Sequence, residues 1–308
     1  MTTCSSRYSE VVLSNYLYVP RRELRNYELA KRLLTAERKY EGDPIVMYDD
    51  SRTDWFGVPL YHYRSIESIA EKVTDRRTKG VKTEYEFKSS FWAGQEKVFE
   101  KFKDGLARGI TGFVLEAPPG FGKTVVLSAC MAEAAVSTLV VVPRSNLVEQ
   151  WSKRLREHTS LMERDIGVAM EGRCDWKGKK VVVGLVHSLA LDRYGDAFKR
   201  WPGLVIFDEV DRSVPPSTFA PVVTLFAPRL RMGASATLSR QDDLQVVFEK
   251  HIGQMYLRGE DRNRMPAKVL TVQFPGDSGH VFQGSAKLNR RGMLLSRLAA
   301  NPLRNRRS

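Results

Sequence analysis

One segment of the chain combines glycine, lysine and threonine in a pattern suited to phosphate binding. Residues Ala117–Thr124 read A-P-P-G-F-G-K-T, and the strict form of this loop begins with glycine rather than alanine. Glycines let the backbone wrap closely round a phosphate, the lysine supplies a cation, and the threonine hydroxyl suits Mg²⁺. We predict that the loop binds a nucleotide through Pro119, Gly120, Phe121, Gly122, Lys123 and Thr124.

A second segment carries carboxylates at the end of an apolar run. Asp208 and Glu209 open the sequence D-E-V-D, which follows Leu204–Phe207. A hard cation such as Mg²⁺ prefers carboxylate and water oxygens, which suits Asp208, whereas Glu209 could orient and deprotonate an attacking water. We therefore predict Lys123, Asp208 and Glu209 as catalytic residues, and Thr124 and Asp208 as metal ligands.

The elements around these segments have the pattern of an α/β protein. Continuous apolar runs are typical of buried parallel strands, and helical periodicity lies between them. The predicted strands are Phe113–Leu115, Leu139–Val142, Val181–Val186, Leu204–Phe207 and Arg231–Ala234, and the clearest predicted helices are Thr124–Ala135 and Leu147–His158. We expect a doubly wound parallel sheet, in which ligands bind at the carboxyl ends of the strands.

The first part of the chain has a different texture, rich in tyrosine and charge. We predict a small α+β domain over residues 1–85, with a helix in Tyr27–Tyr40 and turns in Asp43–Leu60. The charged stretch Thr74–Glu86 is poor in large aliphatic residues, which predicts a connecting segment.

Composition limits the class of protein. The 308 residues are 42% hydrophobic and carry a net charge of +13, so the chain can bury a core and favours a polyanionic partner, of which nucleic acid is the commonest. The three cysteines lack C-x-x-C spacing, which argues against a disulfide framework or a cysteine zinc site. Without a signal peptide or an apolar run of roughly 18 residues, we expect a cytoplasmic protein and no membrane insertion.

Four segments together resemble a known family. The phosphate loop, V-V-V-P-R at Val140–Arg144, D-E-V-D at Asp208–Asp211 and S-A-T at Ser235–Thr237 resemble motifs I, Ia, II and III of superfamily 2 helicases, in the family's order. The resemblance implies a RecA-like P-loop NTPase domain, which we place at residues 86–284. It also implies ATP and Mg²⁺ as ligands and nucleic acid as partner.

The resemblance extends to single residues. Gln95 is similar to the family's adenine-reading glutamine. Arg144, Asn146 and His187 occupy positions that contact nucleic acid in the family, although Arg144 replaces a threonine found there often. The resemblance further implies that Asp211, Ser235 and Thr237 couple the nucleotide state to the nucleic-acid track.

Within the superfamily, the run S-A-T-L-S-R-Q-D at Ser235–Asp242 is similar to the S-A-T-P-x-R-x-D run of DNA helicases of the xeroderma pigmentosum group B type. Leu238 stands where those proteins usually have proline. Phage helicases and restriction-enzyme translocase subunits are similar too. DNA is therefore the expected nucleic acid, in a bacterial or phage-infected cell.

The last segment, residues 285–308, is basic and contains no acid. Its cations are Lys287, Arg290, Arg291, Arg297, Arg304, Arg306 and Arg307. By the resemblance it introduces a second RecA-like domain, which another chain could supply, so we expect these 308 residues alone to hydrolyse ATP weakly.

The expected function is that of the ATP-binding half of a DNA helicase or translocase. Two alternatives stay open at this point. One is a restriction-modification translocase subunit, and the other is a regulator that binds ATP and nucleic acid without hydrolysis.

Overall fold

The computed structural model describes most of the first 260 residues. The described ranges are 7–37, 43–63, 65–66, 68–209, 216–236, 245–253 and 255–260. Of the predicted features, Asp211, Thr237, Leu238 and the basic segment 285–308 lie outside these ranges. Residues Met1–Arg262 form one compact unit, and the elements described below all belong to it.

The first part of the chain folds around a small sheet. Its elements are β1 (Tyr8–Leu13), β2 (Leu17–Pro20), α1 (Tyr27–Leu33), β3 (Thr35–Ala36), β4 (Ile45–Val46), β5 (Trp55–Val58) and β6 (Ala70–Asp75). The four-stranded sheet has the order β5-β2-β1-β6, with β1 and β6 parallel. This mixed α and β content agrees with the prediction, while the domain boundary at residue 85 stays a prediction.

Helix α1 is shorter than predicted. It begins after Asn26, whose side chain accepts a hydrogen bond from the Leu29 amide, and it ends at Leu33 rather than continuing towards Tyr40. Thr35 leaves the helix because β3 pairs antiparallel with β4, and its hydroxyl donates to the Lys31 carbonyl. A β-branched residue with a backbone-bonding hydroxyl favours this exit over a further helical turn.

The remaining elements build a large α/β layer. They are α2 (Ala93–Ala107), β7 (Gly112–Glu116), α3 (Lys123–Ala134), β8 (Thr138–Val142), α4 (Ser145–His158), β9 (Ile166–Met170), β10 (Arg173–Cys174), β11 (Val181–Leu185), α5 (Val186–Ala190), α6 (Gly195–Lys199), β12 (Leu204–Asp208), α7 (Pro216–Leu225), β13 (Leu230–Ser235), α8 (Gln245–Ile252) and β14 (Met255–Arg258). Within the described residues, no helix is long and apolar enough to cross a membrane.

The eight strands of this layer have the order β10-β9-β11-β8-β12-β13-β7-β14. All neighbouring pairs are parallel except β9 with β10. The predicted α/β fold is confirmed, and each of the five predicted strands is present. Val186, predicted as the end of a strand, instead begins α5.

Both faces of the large sheet are buried, which explains its continuous apolar strands. In β8, Val140 and Val142 pack into a core with residues of α2, α3 and α4. Leu139 and Val141 face the opposite core, which α5, α7 and α8 cover. The N-terminal sheet contributes Val11 and other residues to this second core, so the two sheets share buried apolar contacts.

The segment between the two sheets, residues 76–87, is here named the strap. It forms bridges with residues near the amino ends of the large sheet's strands, including Lys82 with Val136. The buried hydroxyl of Ser137 accepts from the Val81 amide at 2.8 Å and donates to the Trp201 carbonyl at 2.7 Å. Most of the predicted connecting segment Thr74–Glu86 thus lies in the strap, which packs against the large sheet, whereas its first two residues belong to β6.

A buried arginine joins the N-terminal part to the core. Arg231 of β13 is fully buried, and its guanidinium donates to the carbonyls of His251 at 2.8 Å, Phe226 at 3.0 Å and Asn15 at 3.2 Å. Burial lowers the pKa of Arg231 to about 10. Burial also lowers the pKa of the adjacent His251 imidazole to about 3, since a second cation here would be poorly solvated.

This imidazole predicts an acid-dependent loss of stability. Below pH 6.5 the unfolded chain protonates His251, whereas the folded chain does not until about pH 3. The free energy of unfolding should therefore decrease as the pH falls below 6.5, by about 1.4 kcal/mol per pH unit for this group. The free energy of unfolding, measured by urea denaturation at several pH values between 6.5 and 5, should change less steeply with pH in His251→Gln than in the parent. His187→Gln, at an exposed histidine, is the control and should keep the parent's dependence on pH. Equal dependence on pH in the two variants would contradict the assignment.

Candidate nucleotide-binding site

The predicted phosphate loop connects β7 to α3. Gly120 has φ +83° and Gly122 has φ +84°, a left-handed conformation that glycine adopts without strain. Helix α3 begins at Lys123, so the amides of its first turn face the loop. A strand, a glycine-rich loop and a helix N-terminus together form an anion-binding concavity.

Gln95 of α2 lies directly against this loop. Its Nε2 donates to the Phe121 carbonyl at 2.8 Å, and its Oε1 accepts from the Trp92 amide at 3.4 Å. The side chain is 5% exposed. The Phe121 ring is buried and packs edge-on against Trp92 at 5.2 Å between centroids. The structure thus brings Gln95 to the loop, where it holds the backbone, and its contact with adenine stays a prediction.

The predicted acids emerge at the end of β12. Asp208 Oδ2 accepts from the Trp151 indole Nε1 at 2.8 Å, and Oδ1 accepts from the Glu209 amide at 3.0 Å. Burial raises the pKa of Asp208 above its ordinary value, while the Trp151 hydrogen bond and the positive charge of Lys123 oppose that rise. Lys123 Nζ donates to the Ala117 carbonyl at 3.0 Å.

Glu209 has an unusual backbone. Its φ is +51°, which is uncommon for a residue with a side chain and costs about 1–2 kcal/mol. Such conformations persist where the surrounding structure fixes them, and they cluster at functional sites. In this structure the left-handed turn directly follows β12 and leaves Glu209 on the wall of the pocket.

The loop and the acids line one open pocket of about 370 Å³. The lining residues are Gly120, Gly122, Lys123, Thr124, Val125, Leu147, Gln150, Trp151, Arg154, His158, Asp208 and Glu209. The residues predicted to contact phosphate, metal and water therefore line the same pocket. They are Lys123, Thr124, Asp208 and Glu209. Among the lining residues, the Thr124 hydroxyl and the Asp208 carboxylate carry oxygen donors of the kind that Mg²⁺ prefers, and metal binding by them stays a prediction.

Helix α4 contributes residues that the sequence interpretation missed. Gln150, Trp151, Arg154 and His158 occupy one side of it at spacings of one, three and four residues. This spacing was visible in the sequence as helical periodicity, but it does not distinguish a pocket wall from core packing.

The predicted nucleic-acid residues lie at the same edge of the sheet. Arg144 and Asn146 are exposed after β8, and His187 is exposed after the neighbouring strand β11. Ser235 is buried at the end of β13, where its carbonyl accepts from the Ala117 amide at 3.0 Å. Ser235 thus lies beside the phosphate loop, and its coupling role stays a prediction.

A phosphate loop after one strand, with an acidic pair after a strand two places away, defines a P-loop nucleotide-binding domain. The family described as type III restriction enzyme, res subunit, matches residues 88–240. Residues 88–240 therefore carry a domain of this family.

Named relatives agree with this assignment. The DNA 3'-5' helicase XPB of Kineococcus radiotolerans is 34% identical over 147 residues, which cover 45% of this chain and 25% of that protein. The protein named "Probable helicase D10" of Escherichia phage T5 is 24% identical over 257 residues, which cover 79% of this chain and 52% of that protein. The chain thus spans about half of the phage relative and a quarter of the bacterial one.

A solved structure shares the fold. The crystal structure of the UvsW helicase from bacteriophage T4 matches with a TM-score of 0.55 and 12% identity, covering 81% of this chain and 99% of that one. This likeness confirms the RecA-like architecture that the motifs implied.

The two loop glycines should respond differently to alanine. A Cβ at Gly122 would lie 2.4 Å from Gln95 Nε2, whereas a Cβ at Gly120 would meet nothing within 4 Å. Both variants incur the left-handed penalty of about 1–2 kcal/mol. Gly122→Ala should additionally displace the Gln95 amide, so it should reduce the free energy of unfolding in urea more than Gly120→Ala. Equal losses would show that the Gln95 contact does not constrain the loop.

Proposed function

We propose that this chain is the ATP-binding half of an ATP-dependent DNA helicase or translocase, with its RecA-like domain at residues 86–284. The observation that carries the proposal is the pocket in which Lys123, Thr124, Asp208 and Glu209 meet beside a left-handed glycine loop. These groups match the requirements of phosphoryl transfer to water, in which a protein mainly positions reactants and stabilises charge.

Each residue has a defined task in this reaction. The loop amides and the Lys123 ammonium would bind the β and γ phosphates, and Glu209 lines the same pocket. The Glu209 carboxylate accepts a proton from water as the water oxygen attacks the γ-phosphorus and the bond to the ADP oxygen breaks. Thr124 and Asp208 would hold Mg²⁺, which when bound supplies positive charge to the phosphate oxygens.

The remaining site residues have supporting tasks. We propose that Gln95 reads the adenine base as well as holding the loop, because its amide nitrogen carries a second proton. Ser235, with Asp211 and Thr237, is proposed to couple the nucleotide state to nucleic acid. Its position on β13, between the strands of the loop and of Asp208, supports that task.

The proposed nucleic-acid track follows the edge beyond Asp208. Arg144, Asn146 and His187 are exposed on two adjacent strand ends, and a track of this kind positions a phosphate backbone. Relatives named as DNA 3'-5' helicases and the basic net charge of +13 support DNA as the ligand. We propose a cytoplasmic setting.

A second RecA-like domain is proposed to complete the site. The pocket is open, and the nucleotide would be covered on one side only by the residues that line it. An arginine supplied from a second domain is worth about 10³–10⁵ in rate in related phosphoryl-transfer sites. These 308 residues alone should therefore hydrolyse ATP slowly.

Loss of the loop cation tests nucleotide binding. Lys123→Ala should weaken binding of a fluorescent ATP analogue about tenfold or more, because hydrogen bonds to charged groups are worth about 1.5–3 kcal/mol. The circular dichroism spectrum should stay native, since the half-buried Lys123 side chain lines the open pocket. Unchanged affinity in a folded variant would refute the phosphate-loop assignment.

The two acids should separate binding from turnover. Asp208→Asn should weaken Mg²⁺-dependent nucleotide binding, whereas Glu209→Gln should leave binding intact and lower the ATPase rate by about 10²–10⁴, since glutamine cannot accept a proton. The rate is measured with and without duplex DNA. Hydrolysis by Glu209→Gln at the parent rate would exclude the water-activating role. Binding without any turnover in the parent would favour the regulator over the helicase.

A further inference from the structure

Trp151 makes a contact that core packing alone does not require. Its indole nitrogen donates to Asp208 Oδ2 at 2.8 Å across 57 residues of sequence. Tryptophan has a single donor and no acceptor on its side chain, so the bond has one possible direction. It fixes which oxygen of the Asp208 carboxylate faces α4.

The carboxylate is held on both sides. The Glu209 amide donates to Oδ1 at 3.0 Å, so each oxygen of Asp208 receives one N–H. The terminal torsion of an aspartate otherwise varies over a broad range. Because both oxygens are engaged here, rotation of the carboxylate would break at least one of these hydrogen bonds. The remaining lone pairs of Asp208 are therefore oriented with respect to the pocket that this residue lines.

The donor is itself rigid. The Trp151 side chain is 2% exposed and belongs to the core between the sheet and helices α2, α3 and α4, together with Val148 and Leu155 of the same helix. A large aromatic ring packed at interior density sits in a rotamer minimum and interdigitates with its neighbours. The hydrogen bond thus ties the acid at the end of β12 to a fixed point on α4.

We propose that Trp151 is a positioning residue for Mg²⁺-nucleotide binding, acting through the carboxylate of Asp208. The proposal rests on the proposed function, in which Asp208 binds the metal. Trp151 itself contacts neither phosphate nor metal in this role. It holds the ligand carboxylate in the orientation that binding needs, as outer partners do for metal ligands generally.

The test replaces the N–H and keeps the ring. Trp151→Phe removes the donor with part of the volume, and substitution of Trp151 by 3-benzothienylalanine removes the donor at nearly constant shape. Trp201→Phe is the matched control, because Trp201 is also buried but packs against Phe198 in the opposite core. Affinity for a fluorescent ATP analogue is measured as a function of Mg²⁺ concentration and again in EDTA.

We expect both Trp151 variants to raise the Mg²⁺ concentration at half-maximal enhancement about tenfold, the effect of one hydrogen bond to a charged group. Affinity in EDTA and the behaviour of Trp201→Phe should match the parent. A purely structural role of Trp151 predicts that Trp151→Phe is less stable but keeps the parent's Mg²⁺ midpoint. An unchanged Mg²⁺ midpoint in the benzothienylalanine protein would overturn the proposal, even where Trp151→Phe fails to fold.

A further variant separates this inference from the proposed function. Asp208→Asn should abolish most of the Mg²⁺ enhancement. An unchanged enhancement in Asp208→Asn would refute the metal role of Asp208 and thus the proposed function itself. A loss in Asp208→Asn without any change in the Trp151 variants would refute only the positioning role.

Discussion

The parallel register of β12, β13 and β7 is the interaction on which the site depends. Asp208 pairs with Ala234, and Ser235 pairs with Glu116, so the acids, the buried serine and the phosphate loop leave the sheet at one level. A slip of one residue would move a strand end by about 3.3 Å and turn its side chains to the other face. The two apolar cores resist such a slip, because alternate residues of every central strand are committed to one core or the other.

Local signals were enough to predict the central strands and the loop. A run such as Leu204–Phe207 is apolar at every position because both faces of its strand are buried. Strand β9 was missed because its sequence I-G-V-A-M contains small residues and no such run. Strand β14, with the sequence M-Y-L-R, lies at the edge of the sheet. Strands β9 and β14 form because they pair with other segments of the chain, β11 and β7. A local sequence pattern does not encode such pairing.

The contacts that arrange the site were hidden for a similar reason. Trp151 reads as an ordinary apolar position of an amphipathic helix, and its partner Asp208 lies far along the sequence. Gln95 reads as a polar residue at a helix start, yet its amide meets the Phe121 carbonyl. The sequence indicates which residues carry chemistry because their types are restricted. It does not indicate which neighbours orient them, since many residue types could occupy those positions before the fold is known.

The strap extends the folded domain upstream of the first residue of the family match. The family match opens at residue 88, but the amide of Val81 and the carbonyl of Val81 both bond Ser137. Gly80 also approaches Gly203 so closely that a Cβ would lie 2.4 Å from its backbone nitrogen. A chain shortened to the family boundary would open these amino-terminal strand ends to water. A unit that keeps these contacts around the pocket therefore includes the strap, and the shared core and the bond from Arg231 to Asn15 join it further to the N-terminal sheet.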